Sequence, residues 1–254
     1  MQNNSNNIVS VANLDSGYED TKVLDDITMT AKEHQVTVIL GPSGCGKTTL
    51  LKNLIRLQYP WSGSIKLFGQ EITDMDEPQF NDILLKIGVL FQSSALLNSI
   101  TVAENVAIPL EQHTSLPLDL VHRLVRIKLG LVELSQAINK LPSELSGGMR
   151  KRASLARAIA LDPPLLFCDE PTAGLDPITS ESLDRLLLKM RDDLGMTIVI
   201  VTHELASIHR TADNIVFLHD GKCLFSGPIK EAKSAGIEEI DRFFEVGRFE
   251  AWSK

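Results

Sequence analysis

The sequence predicts an α/β fold with a mainly parallel sheet covered by helices on both faces. Three observations carry this. Short apolar runs alternate with amphipathic stretches along most of the 254 residues, the pattern of strands joined by crossover helices. The apolar run Val36–Leu40 feeds a glycine-rich turn at 41–46 and then an amphipathic segment. A second apolar run, 165–168, ends in two adjacent acids, Asp169 and Glu170. Open parallel sheets place their crevice at such strand ends.

Taken in order, residues 8–14, 27–30 and 36–40 read as strands in quick succession, and 47–57 as a helix. Tyr59, Pro60, Trp61, Ser62 and Gly63 form a turn into a strand at 63–68. Residues 87–91 are a short apolar strand. From 102 to about 140 the period changes: Leu120, Leu124, Ile127, Leu131 and Leu134 recur at helical spacing and no strand is evident. This predicts an inserted helical subdomain, at about 93–160. Alternation then resumes with a helix at 146–161, a strand at 165–168, a helix at 179–194 and a strand at 197–202. Strands at 215–218 and 222–226 flank the turn His219-Asp220-Gly221, and a helical tail covers 237–244. The chain reads as one domain, 8–245, between a flexible polar start (1–7) and a C-terminal tail (246–254). That tail region is rich in aromatics (Phe243, Phe244, Phe249, Trp252), with packing on the chain's own core and contact with another subunit both open.

Composition excludes several classes. Apolar residues make up 43% and charged residues 23%, which rules out global disorder. With 25 basic and 33 acidic residues the net charge is −8, opposite to what nucleic-acid binding needs. No apolar run approaches the roughly 18 residues of a membrane span, and the start MQNNSNN lacks the features of a signal peptide. Three cysteines, Cys45, Cys168 and Cys223, give neither a disulfide framework nor metal-ligand spacing and suit a reducing cytosol.

The turn after Val36–Leu40 fits G-x-x-x-x-G-K-[ST], in the strand-to-helix context that motif requires. Gly41, Pro42, Ser43, Gly44, Cys45, Gly46, Lys47, Thr48 and Thr49 are the candidate nucleotide-binding segment. Glycines let backbone N–H groups converge on phosphate oxygens, and the helix N-terminus adds unpaired donors. Lys47 is expected to reach the β- and γ-phosphates and Thr48 to ligate Mg²⁺. Cys45 admits two readings, a small residue at a variable position, which is preferred, or a thiol of lowered pKa beside Lys47.

Asp169 is expected to hold the Mg²⁺ shell and Glu170 to orient or deprotonate the attacking water. His203 follows the next apolar strand and can reach the same phosphate.

The segment Leu145-Ser146-Gly147-Gly148-Met149-Arg150-Lys151-Arg152 precedes a helix. Ser146 is a good N-cap, and the glycines leave backbone donors exposed, making a second anion site. Two phosphate-binding helix ends in one chain suggest a nucleotide sandwiched between two chains. With these motifs, in this order over about residues 8–227, the sequence resembles the ATP-binding-cassette (ABC) ATPases. The resemblance implies a P-loop NTPase fold of the ABC type: a mainly parallel RecA-like core sheet, an antiparallel β subdomain and the inserted helical subdomain. It implies ATP and Mg²⁺ as cofactors and a homodimer. It gives Tyr18 the role of stacking on adenine, and Gln92 that of joining Mg²⁺ and the attacking water to the helical subdomain. Ser146, Gly147 and Gly148 would grip the γ-phosphate bound by the opposite subunit. Asp176, in Ala173-Gly174-Leu175-Asp176, would lie in the loop linking the two sites, and His203 would be the switch histidine. The candidate catalytic residues are thus Glu170, His203, Gln92 and Lys47, and the candidate metal ligands Thr48, Gln92 and Asp169. One position departs from the family: Met149 stands where the common signature has glutamine, and a thioether cannot reproduce an amide's hydrogen bonds.

Three stretches narrow the branch. Gly148-Met149-Arg150-Lys151-Arg152, Leu90-Phe91-Gln92-Ser93-Ser94-Ala95-Leu96, and 107–114 with Leu116-Pro117 are similar to the ATPases of MCE-type lipid transporters (the Mla, or toluene-tolerance, group). The implied partners are an integral membrane permease, a periplasmic MCE protein and a STAS-domain regulator, with no nucleic acid. The implied location is the cytoplasmic face of the bacterial inner membrane. The alternatives are another transporter branch, or a soluble ABC ATPase in a non-transport role such as cofactor assembly.

Overall fold

The computed structural model describes residues 7–232 and 234–250, the last five by backbone alone. Strands β1 (Asn7–Tyr18) and β2 (Thr21–Lys32) form a hairpin, and β3 (Val36–Leu40) leads through the glycine turn into α1 (Lys47–Leu54). Next come β4 (Ser62–Leu67), β5 (Gln70–Glu71), α2 (Glu77–Leu84) and β6 (Ile87–Leu90). Helices α3 (Val102–His113), α4 (Leu118–Leu131) and α5 (Gly147–Ala158) pack on one another. The chain continues through β7 (Leu165–Asp169), α6 (Pro177–Leu194), β8 (Thr197–Val201), α7 (Leu205–Thr211), β9 (Asn214–His219), β10 (Lys222–Pro228), α8 (Ile229–Ala232) and α9 (Glu238–Glu250).

The strands make two sheets. One has six strands in the order β10-β9-β3-β8-β7-β6, parallel except for the edge strand β10. The other has four antiparallel strands in the order β2-β1-β4-β5. Every residue of β3, β7 and β8 is buried, which is why these strands are unbroken apolar runs. Their alternating side chains feed two separate cores. Val38, Leu40, Leu166, Cys168, Ile198 and Ile200 join the core under the helices. Ile39, Leu165, Phe167, Val199 and Val201 join the core against α1 and the antiparallel sheet. The period of two thus fixes the central sheet between two layers and holds the ends of β3, β7 and β8 side by side.

Some boundaries differ from the sequence expectation. Asn7 pairs with Lys32 and belongs to β1, not to a flexible start; residues 1–6 lie outside the described residues. The helix expected to reach 57 ends at Leu54, and Arg56 turns into the left-handed region at φ 55°. Helix α2 was not expected, although Asp76 caps it by accepting from the Gln79 N–H and proline stands in its first turn. The stretch 102–140 is two helices broken at 114–117. The C-terminal helix runs past 244. Ile240 is fully buried, Phe243 and Phe244 pack on the core under the helices, and the Phe243 ring stands edge-on to Phe217 at 5.5 Å. The Phe249 side chain and Trp252 lie outside what is described. Among the described residues no helix is long and apolar enough to cross a membrane.

Candidate active site

The turn after β3 wraps the start of α1. Gly46 stands at the N-cap with φ 101°, and a Cβ there would sit 2.5 Å from a Leu24 methyl, so only glycine takes the position. The Lys47 ammonium is buried and donates to the carbonyls of Gly41 (2.9 Å) and Pro42 (2.8 Å), folding the loop around it. Thr48 is exposed on the first turn and Thr49 is buried beneath it. The Thr49 hydroxyl and the Lys52 ammonium reach the Tyr18 hydroxyl at 3.5 and 3.3 Å. Tyr18 stands 46% exposed beside α1, and the Lys52 ammonium lies over its ring, 5.5 Å from the centroid.

Cys45 overturns the lowered-pKa reading. Its thiol is 5% exposed, and burial pushes its pKa up against the pull of the Lys47 charge. A buried, protonated thiol is a weak nucleophile. We expect slow iodoacetamide labelling of Cys45 in the native protein, slowed further by ATP over the loop. Site-resolved mass spectrometry of labelling with and without ATP checks this; equal rates would contradict it.

Asp169 ends β7 and Glu170 follows it. Glu170 sits in the left-handed region at φ 45°, and its N–H donates to the Val201 carbonyl at 2.8 Å. That turn points its carboxylate toward the strand ends. Its Oε2 accepts from the Thr202 hydroxyl at 3.0 Å, and its Oε1 lies 2.7 Å from Nδ1 of His203. Next to this pair, the Thr172 hydroxyl donates to Glu204 at 2.6 Å. Burial pushes the Asp169 carboxyl above the usual carboxylate range and the Glu170 charge adds to it, against Lys151, Lys52 and Lys47. Oδ1 of Asp169 is buried and accepts no hydrogen bond among the described residues. An anionic oxygen left in that state is stabilised by a cation.

Gly41, Pro42 and Ser43 line one cleft of about 1020 Å³ together with Glu170, Ala173, Gly174 and His203, and α9 closes its far side with Glu238, Arg242 and Phe243. The glycine turn and the Glu170 carboxylate are therefore brought together. Ser146, Gly147 and Gly148 are not among the lining residues; they start α5 beside the loop that carries Leu175. Ser146 caps α5, accepting from the Met149 N–H at 3.3 Å. A Cβ on Gly148 would meet the Thr179 methyl at 2.4 Å, so this glycine lets α5 approach α6. Met149 packs on the core under the helices, a contact that needs no amide. Asp176 caps α6, accepting from the N–H groups of Ile178 and Thr179 and from the Thr179 hydroxyl. These bonds hold its carboxyl below the usual range.

Gln92 is exposed just beyond β6. Its carbonyl accepts from Lys151 at 2.7 Å, and the same ammonium reaches the Glu170 carbonyl at 3.1 Å. Neither Lys151 nor Thr202 is a candidate site residue on the sequence alone. A lysine inside Arg150-Lys151-Arg152 carries no sign of burial, yet Lys151 is 5% exposed. Thr202 had a weak signal in its place next to His203.

A phosphate loop opening a helix, beside a strand-end Asp-Glu pair on a parallel sheet, defines a nucleoside triphosphatase. The known proteins it is similar to make this specific. The ABC transporter family profile matches residues 24–173, and the chain belongs to that family, as one of its ATP-binding, ATP-hydrolysing subunits. It is 39% identical to the intermembrane phospholipid transport system ATP-binding protein MlaF of Haemophilus influenzae, over 87% of this chain and 84% of the relative. It is 38% identical to the probable ribonucleotide transport ATP-binding protein mkl of Mycobacterium tuberculosis, over 94% of this chain and 67% of the relative. Among solved structures it is similar to a dimeric ATP-binding cassette in a post-hydrolysis state with ADP and phosphate. That match has a TM-score of 0.80 and 30% identity, over 87% of this chain and 98% of the other.

Proposed function

We propose that this ATPase energises phospholipid transport between the inner and outer membranes of a bacterial envelope, as the peripheral subunit of an MCE-type system. The observation that carries this is the 39% identity to a phospholipid transport ATPase across 84% of that relative's length. The mycobacterial relative, whose name gives ribonucleotides as cargo, aligns over a smaller share of its own length.

The residues would work as follows. Tyr18 stacks on adenine. Lys47 leaves the carbonyls of Gly41 and Pro42 for the β- and γ-phosphates, while the loop N–H groups cradle them. Thr48, Gln92 and Asp169 would hold Mg²⁺; the unpartnered Oδ1 of Asp169 fits that place. When bound, Mg²⁺ supplies charge neutralisation at the phosphate oxygens. Glu170, held by Thr202 and His203, takes the proton of the attacking water. Ser146, Gly147 and Gly148 contact the γ-phosphate held by a second copy, and Asp176 fixes the loop between the two sites. Moving an open–closed equilibrium from 1:99 to 99:1 takes about 5.5 kcal/mol, which two shared nucleotides supply at about half each, within the range of charge-assisted hydrogen bonds. A second groove, of about 540 Å³, is lined by Leu84, Leu85 and Phe91 on one side and by Ile108, Pro109 and His113 of α3 on the other. This apolar groove between the nucleotide core and the helices suits the permease, at the cytoplasmic face of the inner membrane.

Affinity purification of the tagged chain from solubilised native membranes, with mass spectrometry of proteins and lipids, tests the proposal. The expected result is an integral permease, an MCE protein and phospholipid, with or without a STAS-domain regulator. A permease with a solute-binding protein, or with ribonucleotides, would overturn the lipid reading. Soluble partners alone would make this a non-transport ATPase.

A further inference from the structure

Helix α5 does more than present Ser146. Three of its side chains, at a spacing of three residues and hence on one face, donate to the loop that carries Gln92. The Lys151 ammonium reaches the Gln92 carbonyl at 2.7 Å. The Ser154 hydroxyl reaches the Ser94 carbonyl at 2.6 Å. The Arg157 guanidinium reaches the carbonyls of Ala95 at 2.8 Å and Ser94 at 3.3 Å. Ser94 and Ala95 both have positive φ, 65° and 49°, a backbone path that non-glycine residues hold only when their surroundings enforce it. Lys151 alone makes a second connection, to the Glu170 carbonyl at 3.1 Å. Glu170 is itself in the left-handed region, with its N–H bound to Val201 on its other side. Burial makes this ammonium expensive to keep charged, an effect opposed by the carboxylates of Asp169 and Glu170. A lysine kept in such a place suggests a task that an apolar side chain of the same size would not perform.

We propose that Lys151 is a positioning residue for ATP hydrolysis: its buried ammonium ties the Gln92 loop and the backbone of Glu170 to the helix that begins at Ser146. Displacement of α5 at a shared phosphate then reaches the reacting acid of its own subunit through two hydrogen bonds. Lys151 acts through the placement of Glu170 and Gln92, whose carbonyls it holds. The proposal rests on Glu170 being the general base, an assignment that Glu170→Gln tests by itself.

The experiment compares the full chain with Lys151→Met, which keeps length and volume but has no donor, and with Lys151→Arg, which keeps donors. Thermal midpoint, affinity for a fluorescent ATP analogue, and kcat and KM for ATP are measured on each. Misplacing a reacting group by about 1 Å can cost roughly 100-fold. For Lys151→Met the expected result is therefore a kcat lowered about 10- to 100-fold, with KM and analogue affinity within about threefold. Lys151→Arg should recover most of the loss. A folded Lys151→Met with kcat within about threefold of the parent would overturn the proposal, as would a loss of kcat that merely tracks lost analogue binding. Should Lys151→Met not fold, Lys151→Gln, whose amide serves one carbonyl, is judged by the same split of kcat from KM. If Glu170→Gln proves inactive while Lys151→Met stays active, the positioning role alone fails. If Glu170→Gln hydrolyses normally, the general-base reading fails first.

Discussion

Glu170→Gln is expected to bind ATP, to accumulate as a closed dimer and to hydrolyse about 10²- to 10⁴-fold more slowly than the parent chain, the range lost with a general base. The substitution is nearly isosteric, so the hydrogen bond from the Thr202 hydroxyl has an amide oxygen to accept it and the left-handed turn at 170 is undisturbed. What disappears is the capacity to take a proton. Removal of the charge also relieves Asp169, whose carboxyl is pushed up partly by its neighbour, and takes one negative group away from the phosphates. ATP affinity should therefore hold or rise. Steady-state phosphate release, together with light scattering with and without ATP, provides the check. The expected outcome is near-zero turnover with an ATP-dependent doubling of mass. Hydrolysis within about tenfold of the parent would remove Glu170 from the role of base.

How much of this was legible before folding follows from which forces wrote the sequence. Strands β3, β7 and β8 are buried on both faces, so they had to be continuous apolar runs, and their ends are marked by residues that would be out of place in a core: Gly41, Asp169 and His203. The phosphate loop was legible because its backbone path restricts the residue types to a short pattern. Other features left little trace. Lys151 is buried by the way α5 lies against the Gln92 loop, and within the sequence it is one of three consecutive basic residues. Cys45 lies two residues before a lysine, which suggests a lowered pKa; the desolvation that reverses the shift comes from its burial in the core against α1. Met149 gave a missing amide but not the apolar surface that receives the thioether. In α4 the spacing Leu120, Leu124, Ile127 and Leu131 marks a helix but not its buried face, which is Val121, Val125 and Leu129, while Leu120 and Ile127 are exposed. Helix α2 did carry a signal, an Asp cap followed by proline, but its eight residues bury only Phe80 and Ile83, too few for periodicity to reveal.

Ser146→Arg is expected to abolish ATP-dependent dimerisation and with it at least about 99% of turnover, while each chain still binds ATP. The nucleotide segment from Gly41 to Thr49 is untouched by this change, so the affinity of one chain for an ATP analogue should stay within about threefold. Two effects act at Ser146. The first is local: the side chain accepts from the Met149 N–H, and losing such a cap costs about 0.5–2 kcal/mol. An arginine there also adds positive charge at a helix N-terminus, which the helix dipole disfavours. The second is at the proposed interface, where bulk would enter the place assigned to a phosphate oxygen. Charge-assisted contacts are worth about 1.5–3 kcal/mol each, and the closed dimer has two such sites. Their joint loss, about 3–6 kcal/mol, matches the roughly 5.5 kcal/mol that separates a mostly closed population from a mostly open one. Ser146→Ala separates the two effects. It adds no bulk and forfeits the cap and the hydroxyl, so it should lower the melting midpoint by about 1–8 °C and weaken ATP-dependent dimerisation without blocking it. Placing Ser146→Arg in the Glu170→Gln background gives the most direct readout, because hydrolysis no longer reopens the dimer. A monomer with ATP bound is the expected species. A stable dimer in that double variant would mean that the two chains do not share the nucleotide across Ser146.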